Sequence, residues 1–222
     1  MKRPLFGDLL WLLSLLIITA VLVLPQTQQI FTQLTNRYPY GMGFIKFAIL
    51  ATMGELLALR LAHRTWQRPT GMVFKIIAWG LIGMLITFMF IFYAAGISYM
   101  FEQGLISVQN DTLSSILQAF LISMIMNLTF GIVFMGLHRM SDTYIEMRIN
   151  RKRPSLKELI EIIDWDAFIS FVVFKTIPLF WIPAHTVTFL LPPHYRVVVA
   201  AYLSIVLGVI LIYFKRSKNQ TQ

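Results

Sequence analysis

The chain has 222 residues, 57% hydrophobic and 13% charged, with a formal net charge of +9 and no cysteine. A chain this apolar has too little polar surface for a soluble domain, so its class is integral membrane protein; the missing cysteines exclude a disulfide scaffold, a thiol nucleophile and a cysteine metal site. Its basic residues lie in short clusters beside apolar runs, the pattern of the positive-inside bias, which leaves nucleic acid without support as a partner.

Six apolar stretches, at 9–24, 41–62, 71–99, 112–137, 167–191 and 197–214, each approach the ~20 residues of a spanning helix. The expected fold is all-α, a single polytopic membrane bundle of about six transmembrane helices. The first stretch follows a basic start, MKRPLFGD, but PQTQQ comes after it with no small-residue cleavage pattern, so it reads as a retained helix. Placing the N-terminus in the cytoplasm puts fifteen of the nineteen Lys and Arg residues inside: Lys2 and Arg3; Arg60, Arg64, Arg68 and Lys75; Arg139, Arg148, Arg151, Lys152, Arg153 and Lys157; Lys215, Arg216 and Lys218. The C-terminus is then cytoplasmic too. The loop at 100–111 carries acidic residues and no basic one, as an outer loop should. Tyr38, Tyr40, Tyr99 and Tyr195 form an expected outer aromatic belt, and Trp11, Trp66, Trp165 and Tyr213 an inner one.

The segment 138–166 reads as a cytoplasmic loop containing a short amphipathic helix near 155–165. Ser155 and Glu158 have capping-box spacing. Leu156, Leu159, Ile160 and Ile163 share one face. Such a helix lies on the inner lipid surface with Arg151, Lys152 and Arg153 near phosphates, or else offers a site to a cytosolic partner.

Ionised side chains at membrane depth are costly and usually have a partner or a function. Glu55 and Lys175 each fall about eight residues from the inner end of their spans, ~12 Å deep at ~1.5 Å per residue. Asn127 falls at nearly the same level. A buried Glu55–Lys175 ion pair with Asn127 close by is therefore expected, either fixing helix register or lining a water-filled path. Lys46, near the outer end of its span, is expected to snorkel to the headgroups. Gly54, Gly80 and Gly83, and also Gly131 and Gly136, let helices approach closely. The methionines sit singly in apolar helices, as filler. No metal or cofactor is implied.

The stretch FWIPAHTVTFLLPPHYR interrupts the fifth span. Pro178 and Pro183 remove backbone donors, so freed carbonyls need cover from protein or water. His185 donates to one of those carbonyls or lines a path. Pro192 and Pro193 end the helix, leaving His194, Tyr195 and Arg196 as a very short outer turn.

These features resemble the twenty-two-kilodalton peroxisomal membrane protein family, also called the Mpv family. Tyr38-Pro39 matches its Tyr-Pro before a helix, and Gly54-Glu55 stands where it has Gly-Asp; the Gln that follows there is absent here. Lys175-Thr176-Ile177-Pro178 resembles its Lys-x-Trp-Pro without the Trp, and Pro192-Pro193-His194-Tyr195-Arg196 its Pro-Pro-x-x-Arg. In a second register Trp181, His185 and Thr188-Phe189 take the Trp, Gln and Asn-Phe places. The resemblance covers about 29–214 and leaves the first helix as an addition. It implies a weakly selective channel or pore for small solutes or ions. Glu55, Lys175, Asn127 and His185 would then be lining groups, and the prolines Pro178, Pro183, Pro192 and Pro193 a break or gate. The alternative is a non-conducting scaffold or helper subunit whose charges fix assembly. An enzyme is not expected: there is no His-Glu-x-x-His, no Gly-x-Ser-Gly turn and no paired intramembrane carboxylates. His138 and Asp142, four apart, read as a solvated pair. Membrane lipids are expected partners, with a homo-oligomer compatible. Family members occupy several membranes; the charge bias and the lack of a transit peptide favour a bacterial cytoplasmic membrane over an organellar one.

Overall fold

The computed structural model describes residues 5–69, 71–150 and 153–220, without the side chains of Leu5 and of 211–220. Every described element is helical: α1 (Leu5–Val23), α2 (Pro25–Arg37), α3 (Pro39–His63), α4 (Met72–Glu102), α5 (Asp111–Ile149), α6 (Leu156–Ile162), α7 (Trp165–Leu190) and α8 (Pro193–Gln220). Helices satisfy every backbone donor and acceptor within the segment, which is what a hydrocarbon solvent requires. Six of them are long and apolar enough to cross a membrane: α1, α3, α4, α5, α7 and α8. The protein is thus a polytopic helical membrane protein.

Turn chemistry sets the ends. Pro25 and Pro39 open α2 and α3, where a missing N–H costs nothing. Asn110 caps α5 by accepting from the Leu113 N–H at 2.9 Å. Between α3 and α4 the chain reverses through Arg64 (φ 62°) and Gly71 (φ 72°); the first is a rare left-handed conformation for a side-chain-bearing residue. The Ser155 capping box forms, with the Ser155 N–H donating to Glu158 at 2.6 Å and the Glu158 N–H to Ser155 Oγ at 3.3 Å. Helix α6 is shorter than expected, however. It buries Leu159, with Ile163 just beyond its end, while Leu156 and Ile160 stay exposed. Of the three basic residues before it, Arg153 is exposed, and Arg151 and Lys152 lie outside the described residues, as do Lys2 and Arg3.

Two boundaries depart from expectation. Helix α5 runs on through the segment read as loop from 138, because MSDTYIEMRI contains no Gly or Pro to end it. Helix α8 begins at Pro193, so His194, Tyr195 and Arg196 belong to its first turn and only Leu191 and Pro192 make the bend.

The core lies where α3, α4, α5, α8 and the last part of α7 meet. Leu50, Phe90, Ile122, Phe189, Val198 and Ala201 are among its buried residues. Helices α3 and α4 pair closely because Gly43 and Gly83 face each other: a Cβ on Gly43 would come within 2.8 Å of the Gly83 carbonyl, and one on Gly83 within 2.6 Å of Phe47 Cβ. Gly80 meets the Phe44 ring, and Gly54 seats Ile205 of α8. Gly131 and Gly136 make no comparably close approach. Helix α1 lies outside this core, tied on by Trp11 Nε1 donating to the Met53 carbonyl (3.0 Å) and by Thr19 with Tyr202 (2.9 Å).

The two ends differ. One carries the α3–α4 connection, the end of α5, α6 and the start of α7, and is rich in Arg and Lys; it is called the basic end below. Trp66 and Trp165 stand at this end, and the Tyr213 side chain lies outside the described residues. The opposite end carries α2, the α4–α5 loop and the α7–α8 bend, with Tyr38, Tyr40 and Tyr99 exposed there and Tyr195 half-buried.

Candidate functional site

Polar side chains gather at three levels along the face where α4 and α5 run antiparallel. Nearest the basic end, Lys75 on α4 donates to Glu55 Oε1 on α3 at 2.5 Å and lies 3.9 Å from Glu146 on α5. Trp79, one turn along α4 from Lys75, points its Nε1 at Glu55 Oε2 (3.4 Å) and packs its ring 4.6 Å from that of His138. His138 in turn pairs with Asp142 at 3.5 Å. The expected Glu55–Lys175 pair does not form. Lys175 is exposed and has no ion-pair partner among the described residues, while its neighbours Thr176 and Ile177 point inward. The reason is local. From Phe168 to Trp181 the chain is a π-helix containing Pro178, so residues turn to different faces than an ideal α-helix would give them. A second cross-link at the same end joins α1 to α3: the Arg60 guanidinium grips both oxygens of Asp8 at 2.8 and 2.9 Å, and Trp66 Nε1 donates to Asp8 at 2.9 Å.

The middle level is deeper. Asn127 bonds its own helix, Nδ2 to the Ser123 carbonyl at 2.8 Å, and reaches His185 Nδ1 on α7 at 3.1 Å. It thus joins His185 and stays apart from the Glu55 pair. Ser123 Oγ donates to the Ile182 carbonyl (2.7 Å), which Thr186 Oγ1 also bonds (2.7 Å). Both hydroxyls thus bond the carbonyl just before Pro183, while the expected bond from His185 to a proline-freed carbonyl is not among the hydrogen bonds of the described residues. The His185 ring instead stacks on Trp181 (centroids 5.0 Å) and takes an edge contact from Phe90 (5.4 Å). Nearby, Trp181 Nε1 is buried with no hydrogen-bond partner among the described residues, and so is Thr52 Oγ1 on α3. The chain bulges where Asn127 sits: Asn127–Gly131 forms a π-turn inside α5, a feature that recurs at functional positions. Replacing Asn127 by Leu is expected to cost about 1–3 kcal/mol, the penalty for stranding buried polar partners. Reversible unfolding in mixed micelles checks this; an unchanged midpoint would mean that His185 finds another partner.

At the opposite end, Gln118 Nε2 on α5 donates to Ser98 Oγ on α4 at 2.8 Å beside a cavity of about 250 Å³. Arg196 lines the same cavity. Lys46 does not snorkel. It is buried beneath α2, where its ammonium donates to Thr35 Oγ1 (3.0 Å) and the His194 carbonyl (3.5 Å) and lies 4.5 Å from the Phe31 ring centre. Gln28 of α2 also bonds the Tyr195 hydroxyl, so α2 is latched over α3 and α8.

Sequence reasoning missed Lys75 and Trp79 because Lys75 was grouped with the loop cations. Their i, i+4 spacing on α4 was the available signal. It also missed Ser98, Gln118 and Ser123, ordinary polar residues in apolar runs that gain meaning only by who faces them. No group of three or more His, Asp or Glu residues able to hold a metal occurs among the described residues.

Fold and site together define a polytopic α-helical membrane protein with polar groups threaded through its interior. No family model matches the chain, and neither does any curated protein or solved structure.

Proposed function

We infer that the chain is a weakly selective membrane channel for small solutes or ions, with the α4–α5 face as its path and the described conformation closed. One observation carries the reading. Polar groups recur along α5 from end to end against α4 and its neighbours: Gln118 with Ser98, Asn127 with His185, His138 beside Trp79, and Glu146 with Lys75. A purely lipid-solvated bundle has no need of such a row, since each member carries a desolvation cost. Phe90, against His185, and Phe134, stacked on His138, are the aromatic side chains that would serve as the constriction.

On this reading the basic end faces the cytoplasm of a bacterial cell, the chain is a divergent member of the Mpv family, and small solutes or ions enter past Arg196. The test is conductance of purified protein in a planar bilayer, with Glu55→Gln and Asn127→Ala beside the wild type. Discrete openings are expected, with cation preference altered by Glu55→Gln. Silence from folded, inserted protein would sink the channel. A scaffold role is the second reading, favoured by the closed hydrogen bonding of Glu55, Lys75, Asn127 and Ser123 and by the glycine-lined α3–α4 crossing.

A further inference from the structure

Among the described residues, Arg196 is a partly buried cation without a counter-charge. It stands in the first turn of α8, and its Nε donates to the Leu191 carbonyl at 2.9 Å, which holds the guanidinium 5.5 Å from the centre of the Phe189 ring. No carboxylate comes within ion-pair distance of it among the described residues. The acidic residues of that end, Glu102 and Asp111, are thus not its partners. A guanidinium has five N–H donors, of which the Leu191 bond uses one. The unspent edge belongs to a side chain lining the 250 Å³ cavity between α4, α5, α7 and α8.

The other polar walls complement it. Ser98 Oγ already accepts the Gln118 amide at 2.8 Å, so its own hydrogen is left to donate. Ser115 spends its hydrogen on the Asp111 carbonyl (2.9 Å) and presents lone pairs. The Gln118 carbonyl oxygen is a further acceptor. One cationic fork, one hydroxyl donor and two acceptors suit a compact oxyanion that also bears a hydroxyl or protonated oxygen. A guanidinium fork matches such an anion with two parallel bonds, and partial burial strengthens the attraction relative to water.

We propose that the cavity beside Arg196 binds a small oxyanion, a hydroxycarboxylate or a phosphate, taken either from solution or as the headgroup of a lipid. This goes beyond the channel reading and does not need conduction, since it is a statement about equilibrium binding. A silent bilayer would leave it standing.

The experiment is thermal unfolding in an uncharged maltoside detergent at constant ionic strength, with chloride replaced by inorganic phosphate, by lactate, or supplemented with dihexanoyl phosphatidylglycerol. Saturating phosphate or lactate is expected to raise the wild-type Tm by several degrees, as any ligand of the native state does. Arg196→Gln should weaken the effect at least tenfold in ligand concentration. Arg196→Gln also removes the bond to Leu191, so Ser98→Leu is the second variant: it fills the cavity, keeps that bond and should lose the effect equally. Stabilisation by the short-chain lipid alone, lost in both variants, supports the site with a headgroup as its ligand. The proposal is overturned if no probe stabilises the wild type, or if the stabilisation is the same in all three proteins.

Discussion

Lys75→Met is expected to destabilise the bundle by about 3–5 kcal/mol, while the double variant Glu55→Gln/Lys75→Met recovers more than half of that loss. The Lys75 side chain is only 10% exposed and that of Glu55 22%, so removing the ammonium strands a carboxylate that water reaches poorly. Trp79 offers Glu55 one neutral donor at 3.4 Å, which is weak compensation. Glu55→Gln alone should cost less, because Lys75 keeps Glu146 within 3.9 Å and that carboxylate is 62% exposed. The asymmetry between the two single variants is the specific signature. Unfolding of all four proteins in mixed micelles supplies the double-mutant cycle. Strictly additive single effects would mean that the two side chains are not coupled. The pair joins α3 to α4 at the basic end, and Glu146 extends the link to α5.

The architecture was largely legible in the sequence, and the wiring was not. Each span announced itself by ~20 apolar residues, and the single period of hydropathy suffices because lipid leaves a chain few alternatives to helices. Helix α2 escaped that reading because PQTQQIFTQLTNR is too short and polar to span. Pro25 at its start was a usable signal, but its apolar face, Phe31 with Thr35, is defined by what lies beneath, namely Lys46 and Tyr195. The Lys46 ammonium is thereby covered by protein, where counting depth along α3 alone would send it to the headgroups.

The candidate site shows the same limit more sharply. Depth can be counted along one helix, but facing cannot. Counting residues from the span ends groups Glu55, Asn127 and Lys175. The count assumes a straight α-helix, and Pro178 and the π-turns in α5 and α7 break that assumption. Asn127 and His185 do meet, since both lie where α5 crosses the last turns of α7. Lys175 is rotated out. What the sequence offered instead was Lys75 and Trp79 one turn apart, each able to reach one carboxylate on the facing helix.

Gly83→Leu is expected to break the α3–α4 pairing, with a loss on the order of 3 kcal/mol or more, while Gly96→Leu on the same helix is expected to be nearly neutral. A Cβ at Gly83 would overlap the Gly43 carbonyl and lie 2.6 Å from Phe47 Cβ, both on α3, whereas one at Gly96 meets nothing within 4 Å. The clash at Gly83 involves backbone, so rotamer changes cannot relieve it and the helices must separate. Even Gly83→Ala should cost about 1–3 kcal/mol, the usual range for overpacking a tight site, although Ala is the better helix former by about 1 kcal/mol. Gly96→Ala feels only the propensity term and should be neutral or slightly stabilising. Separation at Gly83 would also draw Lys75 and Trp79 away from Glu55, about two and one helical turns along α4. The Gly83 variants should therefore lose part of the Glu55–Lys75 coupling energy measured above. Equal effects at Gly83 and Gly96 would show that α3 and α4 do not pack through this crossing, and the ion pair would then have to hold the two helices without it.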